Sequence, residues 1–328
     1  MSDLVTAQSD SRIHGLPSIV LENDYLRAGI IPEIGGKIYE LTWKQLAWNV
    51  LWQNPRVLPQ PFPIEAALGD FWCGGWDDIF PTCDACEFGG LRYPGLGELH
   101  QGRFSVDDVH VAHGQAIAQL SAYTPISSVR AHKTVIVDGP VLRIRNEIIN
   151  LGPLPVDFLW GTHPAFRPSK NMILHIPGKT GIVAQSSGPQ FGASGQRYDW
   201  PQLNFASGQI TDMSTVYGMD AKGFCGHYVT DLQEGWYGLE DKEKGRAVVV
   251  SFPLEQCPFI WLWLSYGGWR GHLVVIVEPY TSYPVNLSDA VRQGSNRRIE
   301  PGKTFSIEVS ATCSDAPEPV TSALAQLK

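Results

Sequence analysis

Two short segments of the sequence, one with a histidine and one with a glutamate, could exchange protons with a bound molecule. Residues 160–166 read WGTHPAF, and residues 277–284 read VEPYTSYP. Each segment comes where a predicted strand ends. The imidazole of His163 titrates near neutral pH and the carboxylate of Glu278 can be tuned towards it, so one could act as an acid and the other as a base. The alternative is that each residue is structural or merely exposed, as single His and Glu residues in β proteins usually are.

A second group of polar and aromatic residues lies in two glycine-rich connections. Residues 74–81 read GGWDDIFP, and residues 93–103 read YPGLGELHQGR. Carboxylate and guanidinium groups pair well with sugar hydroxyls, and the C–H face of a pyranose stacks on tryptophan. The connections therefore predict a sugar-binding cleft, with Trp76, Asp77, Glu98, His100 and Arg103 as its candidate residues. The alternative is that Asp77 and Asp78 organise a turn while Trp76 fills the core.

A further candidate for sugar binding is Trp269. It follows the apolar run Phe259–Leu264, in which bulky residues alternate on both faces. That run predicts a central buried strand. Because Trp269 and Arg270 lie outside it, in a glycine-containing loop, they are open to a binding role.

Alternation of apolar and polar residues recurs along the chain, which predicts a series of strands. We expect these strands and their connections to position the candidate residues. An Asp138-Gly139 pair between two such segments predicts a hairpin turn. The predicted strands are Ser18–Glu22, Tyr25–Ile31, Lys37–Trp43, Ile117–Tyr123, His132–Val137, Val141–Ile149, Val156–Trp160, Met172–Ile176, His227–Leu232, Trp236–Leu239, Ala247–Phe252, Phe259–Ser265, Leu273–Glu278 and Thr304–Thr312.

The series of strands indicates the fold class. Helical periodicity is scarce, and short helices are predicted only at Pro63–Leu68 and Val320–Leu327. No linker rich in proline and serine divides the series, so we predict an all-β fold, a single large antiparallel sandwich over residues 1–328. Residues 1–15 and 315–328 are expected to be peripheral tails.

Composition and charge restrict the partners. The formal net charge is −8 and the Lys and Arg residues are not clustered, which argues against nucleic acid and anionic membranes as partners. A small, weakly charged molecule such as a carbohydrate fits better. The N-terminus shows no secretory signal, and the longest apolar run is too short to span a bilayer. We therefore expect a cytoplasmic protein whose six cysteines stay reduced.

Metal binding has weak support. Cys83-Asp-Ala-Cys86 has the spacing of half a zinc site or of a redox pair, but no second Cys or His pair follows at a suitable distance. Asp77 and Asp78 could ligate a hard cation such as calcium only with further oxygen donors. We expect neither a metal nor an organic cofactor.

The order of the motifs resembles that of the aldose 1-epimerase (galactose mutarotase) superfamily, whose members share a many-stranded β-supersandwich. The resemblance covers most of the chain, from IGGKI at residues 34–38 to IEPGKT at residues 299–304. Between these ends come, in order, GGWDDIFP, GELH, WGTHPAF and VEPYT. The resemblance implies the supersandwich fold and an isomerase that requires no cofactor.

The resemblance also implies roles for individual residues. His163 corresponds to the histidine that protonates the sugar ring oxygen, and Glu278 to the base near the C-terminus. His100 is the nearest match to an earlier histidine that assists at the ring oxygen. In many relatives that histidine directly precedes a Gly-Glu pair, whereas here His100 comes two residues after Glu98.

The implied reaction interconverts the α and β anomers of an aldose or a sugar derivative. A proton leaves the anomeric hydroxyl while another reaches the ring oxygen, and the ring opens to an aldehyde that can close on either face. We expect His163 to be protonated and Glu278 ionised, because proximity would favour both states. Two alternatives use the same residues: a non-catalytic carbohydrate-binding sandwich, and a glycoside-cleaving or lyase enzyme on the same fold.

Overall fold

About 50% of the residues lie in strands and 9% in helices, which confirms the predicted all-β class. The computed structural model describes residues 4–64 and 66–327. The chain forms two compact units, Met1–Pro164 with Tyr280–Ser310 and Ala165–Pro279 with Ala311–Lys328. The prediction that residues 1–328 form a single sandwich domain stays a prediction.

The first unit contains the strands of the first half of the chain. The first segment of this unit ends at Pro164, within the last of the strands named here. The strands are β1 (Thr6–Ile13), β2 (Leu16–Glu22), β3 (Leu26–Ile31), β4 (Lys37–Trp43), β5 (Trp48–Asn49), β6 (Trp76–Ile79), β7 (Cys86–Phe88), β8 (Leu91–Tyr93), β9 (Ser105–Ala112), β10 (Gln115–Tyr123), β11 (Val129–Asp138), β12 (Val141–Asn150), β13 (Val156–Phe158) and β14 (Gly161–Phe166).

Two antiparallel sheets enclose the core of the first unit. One has β1, β2, β3, β4, β6 and β14 as successive neighbours, and the other has β9, β10, β11 and β12. Strands β9 to β11 pack against β1 to β3. Alternating burial along β11 shows one face turned to this core, as expected where one face of a sheet is covered. The hairpin predicted at Asp138-Gly139 joins β11 to β12, with Gly139 at a φ of +50°.

The second unit contains the strands from the middle of the chain. They are β15 (Ile173–His175), β16 (Thr180–Ser187), β17 (Arg197–Asp199), β18 (Gln202–Asn204), β19 (Ile210–Asp212), β20 (Gly223–Thr230), β21 (Trp236–Asp241), β22 (Arg246–Ser251), β23 (Phe259–Tyr266) and β24 (Leu273–Tyr280). In one sheet the order is β24, β23, β20, β16, β17, β18 and β19, so the Trp-rich β23 is central, as predicted. Strands β15, β21 and β22 are neighbours in another sheet.

The chain returns to the first unit with β25 (Arg297–Ile299), which pairs with β13, and with the start of β26 (Thr304–Ser314). The helices are few and short: α1 (Leu68–Phe71), α2 (Leu287–Gln293) and α3 (Pro319–Gln326), with single 3-10 turns at Lys44–Leu46, Pro189–Phe191 and Met219–Ala221. Within the described residues, none of the helices has the length and apolar character needed to cross a membrane.

The chain ends differ from the expected tails. Thr6–Ile13 forms β1 and pairs with β2 along the sheet edge, while residues 1–3 and 328 lie outside the described residues. Beyond Ser314 the chain forms α3, close to the predicted helix at Val320–Leu327, and α3 packs against β21 and β22. The helix predicted at Pro63–Leu68 is displaced to Leu68–Phe71, and Glu65 lies outside the described residues.

Candidate active site

The strand β6 carries two adjacent aspartates, Asp77 and Asp78, both fully buried. Because successive side chains of a strand point to opposite faces of the sheet, the two carboxylates face different surroundings. Each has a buried lysine as its partner: Lys37 for Asp77 and Lys133 for Asp78. The segment that we predicted to be a glycine-rich connection is thus a short strand between β4 and β14.

Asp77 forms the centre of one face. The ammonium group of Lys37, on β4, donates to its carboxylate, and the exposed fractions of the two side chains are 1% and 0%. On β14, His163 lies directly opposite Asp77 in the antiparallel register, which places both side chains on the same face of the sheet. The register of three strands therefore assembles a lysine, a carboxylate and an imidazole.

A second imidazole reaches the same carboxylate. Nδ1 of His100 lies 3.1 Å from Oδ2 of Asp77, and Nδ1 of His163 lies 3.9 Å from the same oxygen. The His100 contact is close, but it is not aligned as a hydrogen bond, and within the described part of the chain Nε2 of His100 has no hydrogen-bond partner. The centroids of the two imidazole rings are 6.4 Å apart. One buried carboxylate thus faces two imidazoles.

Two glycines allow these elements to approach. Gly35, at a φ of +69°, lies against the backbone of His100, where an added Cβ would be 2.4 Å from the carbonyl oxygen. A side chain at Gly161 would meet the ring of Tyr280 at 2.3 Å. Since real Cβ atoms do not approach other atoms so closely, both positions require glycine. The motifs around them are therefore explained by packing next to His100 and His163.

Aromatic rings cover the two imidazoles. The centroid of Trp72 is 5.6 Å from that of His163 in an edge-on arrangement, and the centroid of Phe62 is 6.1 Å from that of His100. Trp72 also stacks on Trp52, and Phe62 stacks on Phe71. These rings limit the access of water, which lowers the local dielectric around Asp77.

Burial dominates the electrostatics of the site. It lowers the pKa of His163 to about 3, against the opposing effect of Asp77, and it lowers the pKa of His100 as well. Burial alone would raise the pKa of Asp77, but Lys37, His100 and His163 together hold that pKa well below its usual range. At neutral pH, both imidazoles are therefore neutral and the carboxylate is ionised. This differs from our expectation of a protonated His163, because burial removes the hydration that an imidazolium needs.

The opposite face of β6 holds a different cluster. Nζ of Lys133, on β11, lies 2.7 Å from Oδ2 of Asp78 and donates to the carbonyl oxygen of Gly36 at 3.0 Å. Nδ2 of Asn146, on β12, donates to Oδ1 of Asp78 at 3.0 Å. This cluster joins the two sheets of the first unit inside their shared core.

The other predicted site residues of the first unit have different surroundings. Glu98 is buried and accepts hydrogen bonds from the backbone of Ile126 and Ser127 at 2.8 and 3.0 Å, and burial raises its pKa. The indole of Trp76, also buried, donates to Oγ1 of Thr162 at 2.5 Å. Arg103 is 80% exposed and lies 3.3 Å from Glu33. The structure therefore brings together His163, His100 and Asp77 from the predicted set.

Two predicted residues belong to the second unit. Glu278 is buried on β24, and burial together with the charge of Glu278 holds the pKa of Tyr237 well above its usual value. Trp269 is half-buried in the loop after β23. The centroid of its ring lies 5.2 Å from that of Trp263 and 5.8 Å from the guanidinium carbon of Arg270.

Within residues 4–64 and 66–327, we find no group of three or more His, Cys, Asp and Glu side chains placed to hold a metal ion.

Sequence reasoning missed Lys37 and Trp72. Lys37 begins a predicted strand, where a lysine is usually solvated, and Trp72 lies between the displaced helix and the glycines of residues 74–75. Once Asp77 and Asp78 are known to lie on a buried strand, each carboxylate needs its own cation or hydrogen-bond donors on its own face of the sheet. Only the strand register identifies which lysine meets which carboxylate.

Comparison with known proteins identifies the fold. No family model and no curated protein matches the chain. Among solved structures, it resembles a protein from Klebsiella pneumoniae provisionally named an aldose 1-epimerase, with a TM-score of 0.76, 13% identity and coverage of 98% of this chain and 85% of that one. A galactose mutarotase-like protein from Clostridium acetobutylicum matches with a TM-score of 0.65, 13% identity and coverage of 95% and 98%. The chain has the galactose mutarotase-like fold.

The chain is similar also to the Slr1438 protein from Synechocystis, with a TM-score of 0.67, 20% identity and coverage of 94% of this chain and 99% of that one. These likenesses confirm the predicted supersandwich and the resemblance from which it was inferred. At such low identity they establish the galactose mutarotase-like fold alone.

Proposed function

We propose that the protein is an aldose 1-epimerase-like isomerase that interconverts the α and β anomers of an aldose or a sugar derivative through ring opening. The observation that carries the proposal is the pair of buried imidazoles, His100 and His163, held against one ionised carboxylate on this fold. Nε2 of His100 lacks a hydrogen-bond partner within the described residues. A buried polar atom of this kind is a candidate contact for a bound hydroxyl or ring oxygen.

The chemistry requires one group that takes a proton and one that gives it. Glu278 is proposed to take the proton of the anomeric hydroxyl, and His163 to protonate the ring oxygen. The open-chain aldehyde then rotates and closes on its other face, which returns both protons. A general acid–base step of this kind contributes about 10²- to 10⁴-fold to the rate.

His163 acts as an acid only once it carries a proton, and its resting imidazole is neutral. With a pKa of about 3, the imidazolium gives its proton readily to the weakly basic ring oxygen, although it is scarce at neutral pH. Asp77 opposes the effect of burial and stabilises the imidazolium once it forms. The carboxylate is thus proposed to assist the acid, and His100 to bind the sugar beside it.

The other candidate residues for substrate binding differ in how far their side chains are already engaged within the protein. Glu98 and Trp76 already form hydrogen bonds within the protein, so they are proposed to shape the site. Arg103 and Trp269 have exposed or half-buried side chains and remain candidates for contact with sugar hydroxyls and with the C–H face of the sugar. The partner is a small-molecule carbohydrate.

The test is anomer exchange, followed by NMR exchange spectroscopy on D-glucose, D-galactose and their 6-phosphates. We expect the wild-type protein to accelerate exchange of at least one of these sugars. Glu278→Gln and His163→Asn should each lower the rate by about 10²- to 10⁴-fold. His110→Asn and Glu300→Gln, which change the same residue types at more solvent-accessible positions, are matched controls and should keep the wild-type rate.

Three results would contradict the proposal. Exchange of all four sugars at the buffer rate, with saturable binding of one of them, would indicate a non-catalytic carbohydrate-binding protein. Release of a new reducing end from an oligosaccharide would indicate a glycoside-cleaving or lyase enzyme. Unchanged exchange in both Glu278→Gln and His163→Asn would remove the proposed acid and base.

A further inference from the structure

The ion pair of Lys37 and Asp77 is costly for a pair that only stabilises the fold. Both side chains are buried, at 1% and 0% exposure. Removing two ions from water costs several kcal/mol for each ion, and an apolar pair of similar volume is often at least as stable. A buried ion pair next to perturbed imidazoles is therefore a candidate for a functional role.

We propose that Lys37 and Asp77 form a positioning pair. Lys37 holds the carboxylate of Asp77 in place, and this carboxylate orients the imidazoles of His100 and His163 and stabilises the positive charge that either imidazole gains during proton transfer. The inference rests on the proposed function and adds Lys37 to its machinery. Lys37 acts through Asp77, so it is a positioning residue and not a catalytic one.

The register of the sheet fixes the positions of Lys37 and Asp77 relative to His163. Lys37, Asp77 and His163 come from three neighbouring strands, β4, β6 and β14. The pairing of Ile38 with Trp76 places Lys37 beside Asp77, and His163 pairs directly with Asp77. Backbone hydrogen bonds of the sheet therefore set the spacing of the charges before any substrate binds.

The charges act on the imidazoles with opposite signs. Asp77 favours the protonated form of both His100 and His163, whereas Lys37 disfavours it. The other titratable groups here are the Cys73 thiol, whose pKa is raised by burial, and the Tyr39 hydroxyl beside it, whose pKa is also raised by burial. Both are neutral at pH 7, so Lys37 and Asp77 supply the fixed charges next to the two histidines.

The test is an NMR titration of the imidazoles in histidine-labelled full-length protein without substrate. Lys37→Met removes the cation and keeps the side-chain length, so it should raise the titration midpoint of His100 or His163 by about one pH unit or more, which is about tenfold in proton affinity. Asp77→Asn should shift the midpoints in the opposite direction. Lys133→Met removes an equally buried cation from the opposite face of β6 and should leave the midpoints unchanged.

The inference is overturned if Lys37→Met leaves both midpoints unchanged, or if Lys133→Met shifts them equally. Should Lys37→Met fail to fold, the double variant Lys37→Met/Asp77→Asn leaves no unpaired charge. Asp77 has the larger influence on both imidazoles, so the double variant must lower the midpoints, and wild-type midpoints in it would also overturn the inference. The titration needs no sugar, so an inactive wild-type protein would refute the proposed function without deciding the role of the pair.

Discussion

Each face of β6 carries a buried ion pair of a lysine and an aspartate, but the groups around the two pairs differ. Between the sheets of the first unit, Lys133 and Asp78 share hydrogen bonds with the Asn146 amide and the Gly36 carbonyl. On the other face, Lys37 and Asp77 lie against two imidazoles. Amide groups do not titrate between pH 3 and 10, whereas imidazoles do. The two pairs therefore differ in their neighbours, and under the proposed function only the pair of Lys37 and Asp77 takes part in proton transfer.

The largest expected effect is on the free energy of unfolding, to which the two ion pairs should contribute alike. Lys37→Met and Lys133→Met should each lower the free energy of unfolding by about 3–5 kcal/mol, because each leaves a buried carboxylate without its cation. Urea unfolding followed by circular dichroism measures this loss. The double variants Lys37→Met/Asp77→Asn and Lys133→Met/Asp78→Asn should recover most of it. A loss below about 1 kcal/mol in either single variant would show that its carboxylate finds another partner.

Activity should separate the two faces. Asp77→Asn removes the charge that stabilises the imidazolium of His163, so we expect it to slow anomer exchange by about 10²-fold or more. Asp78→Asn should change the rate by less than about threefold when it is assayed below its unfolding temperature, because Asp78 faces the core between the sheets. Equal losses of activity in the two variants would assign both pairs to the fold.

The smallest of these effects is the dependence of stability on pH. The pKa of His163 is about 3 in the folded chain and near 6.5 in the unfolded chain. The unfolded state therefore binds more protons between these values, so stability is lost as the pH falls below about 6.5, by about 1.4 kcal/mol per pH unit for each such histidine. His227, in the second unit, has a pKa lowered to about 4 mainly by burial and contributes with the same sign.

Unfolding free energies at about pH 7 and about pH 5.5 measure this dependence. His163→Asn should reduce the slope, because asparagine does not titrate. A slope in His163→Asn equal to that of the wild-type protein would show that folding does not lower the pKa of His163.

Sequence reasoning predicted strands where a periodicity is visible, but it missed three strands of eight residues each, β1, β9 and β16. Each of the segments from Ser18–Glu22 to Thr304–Thr312 overlaps a strand of the structure. It also missed β6 and β14, which carry Asp77 and His163. Every residue of these two strands is buried, so neither shows the alternation of apolar and polar residues that marks a half-buried strand.

The candidate site could be predicted only in part. His163, His100 and Asp77 were found from residue type and motif order, and the structure places them together. Lys37 and the neutral state of His163 were not found, because both depend on burial and on pairing between strands distant in sequence. The roles of His163 and Glu278 as acid and base stay predictions.

The direct pairing of His163 with Asp77 limits how this chain can vary in length. A deletion of one residue in β14 ahead of His163 would bring Pro164 opposite Asp77, and an insertion would bring Thr162 or the inserted residue there. Either change would turn the imidazole toward the face of the sheet that holds Lys133. Gains and losses of residues are tolerated only where no ladder passes through them, as at the exposed His113-Gly114 bend between β9 and β10. Homologous chains can therefore differ in the length of their exposed bends, but they must keep the residue count of β6 and β14, in which every residue is buried.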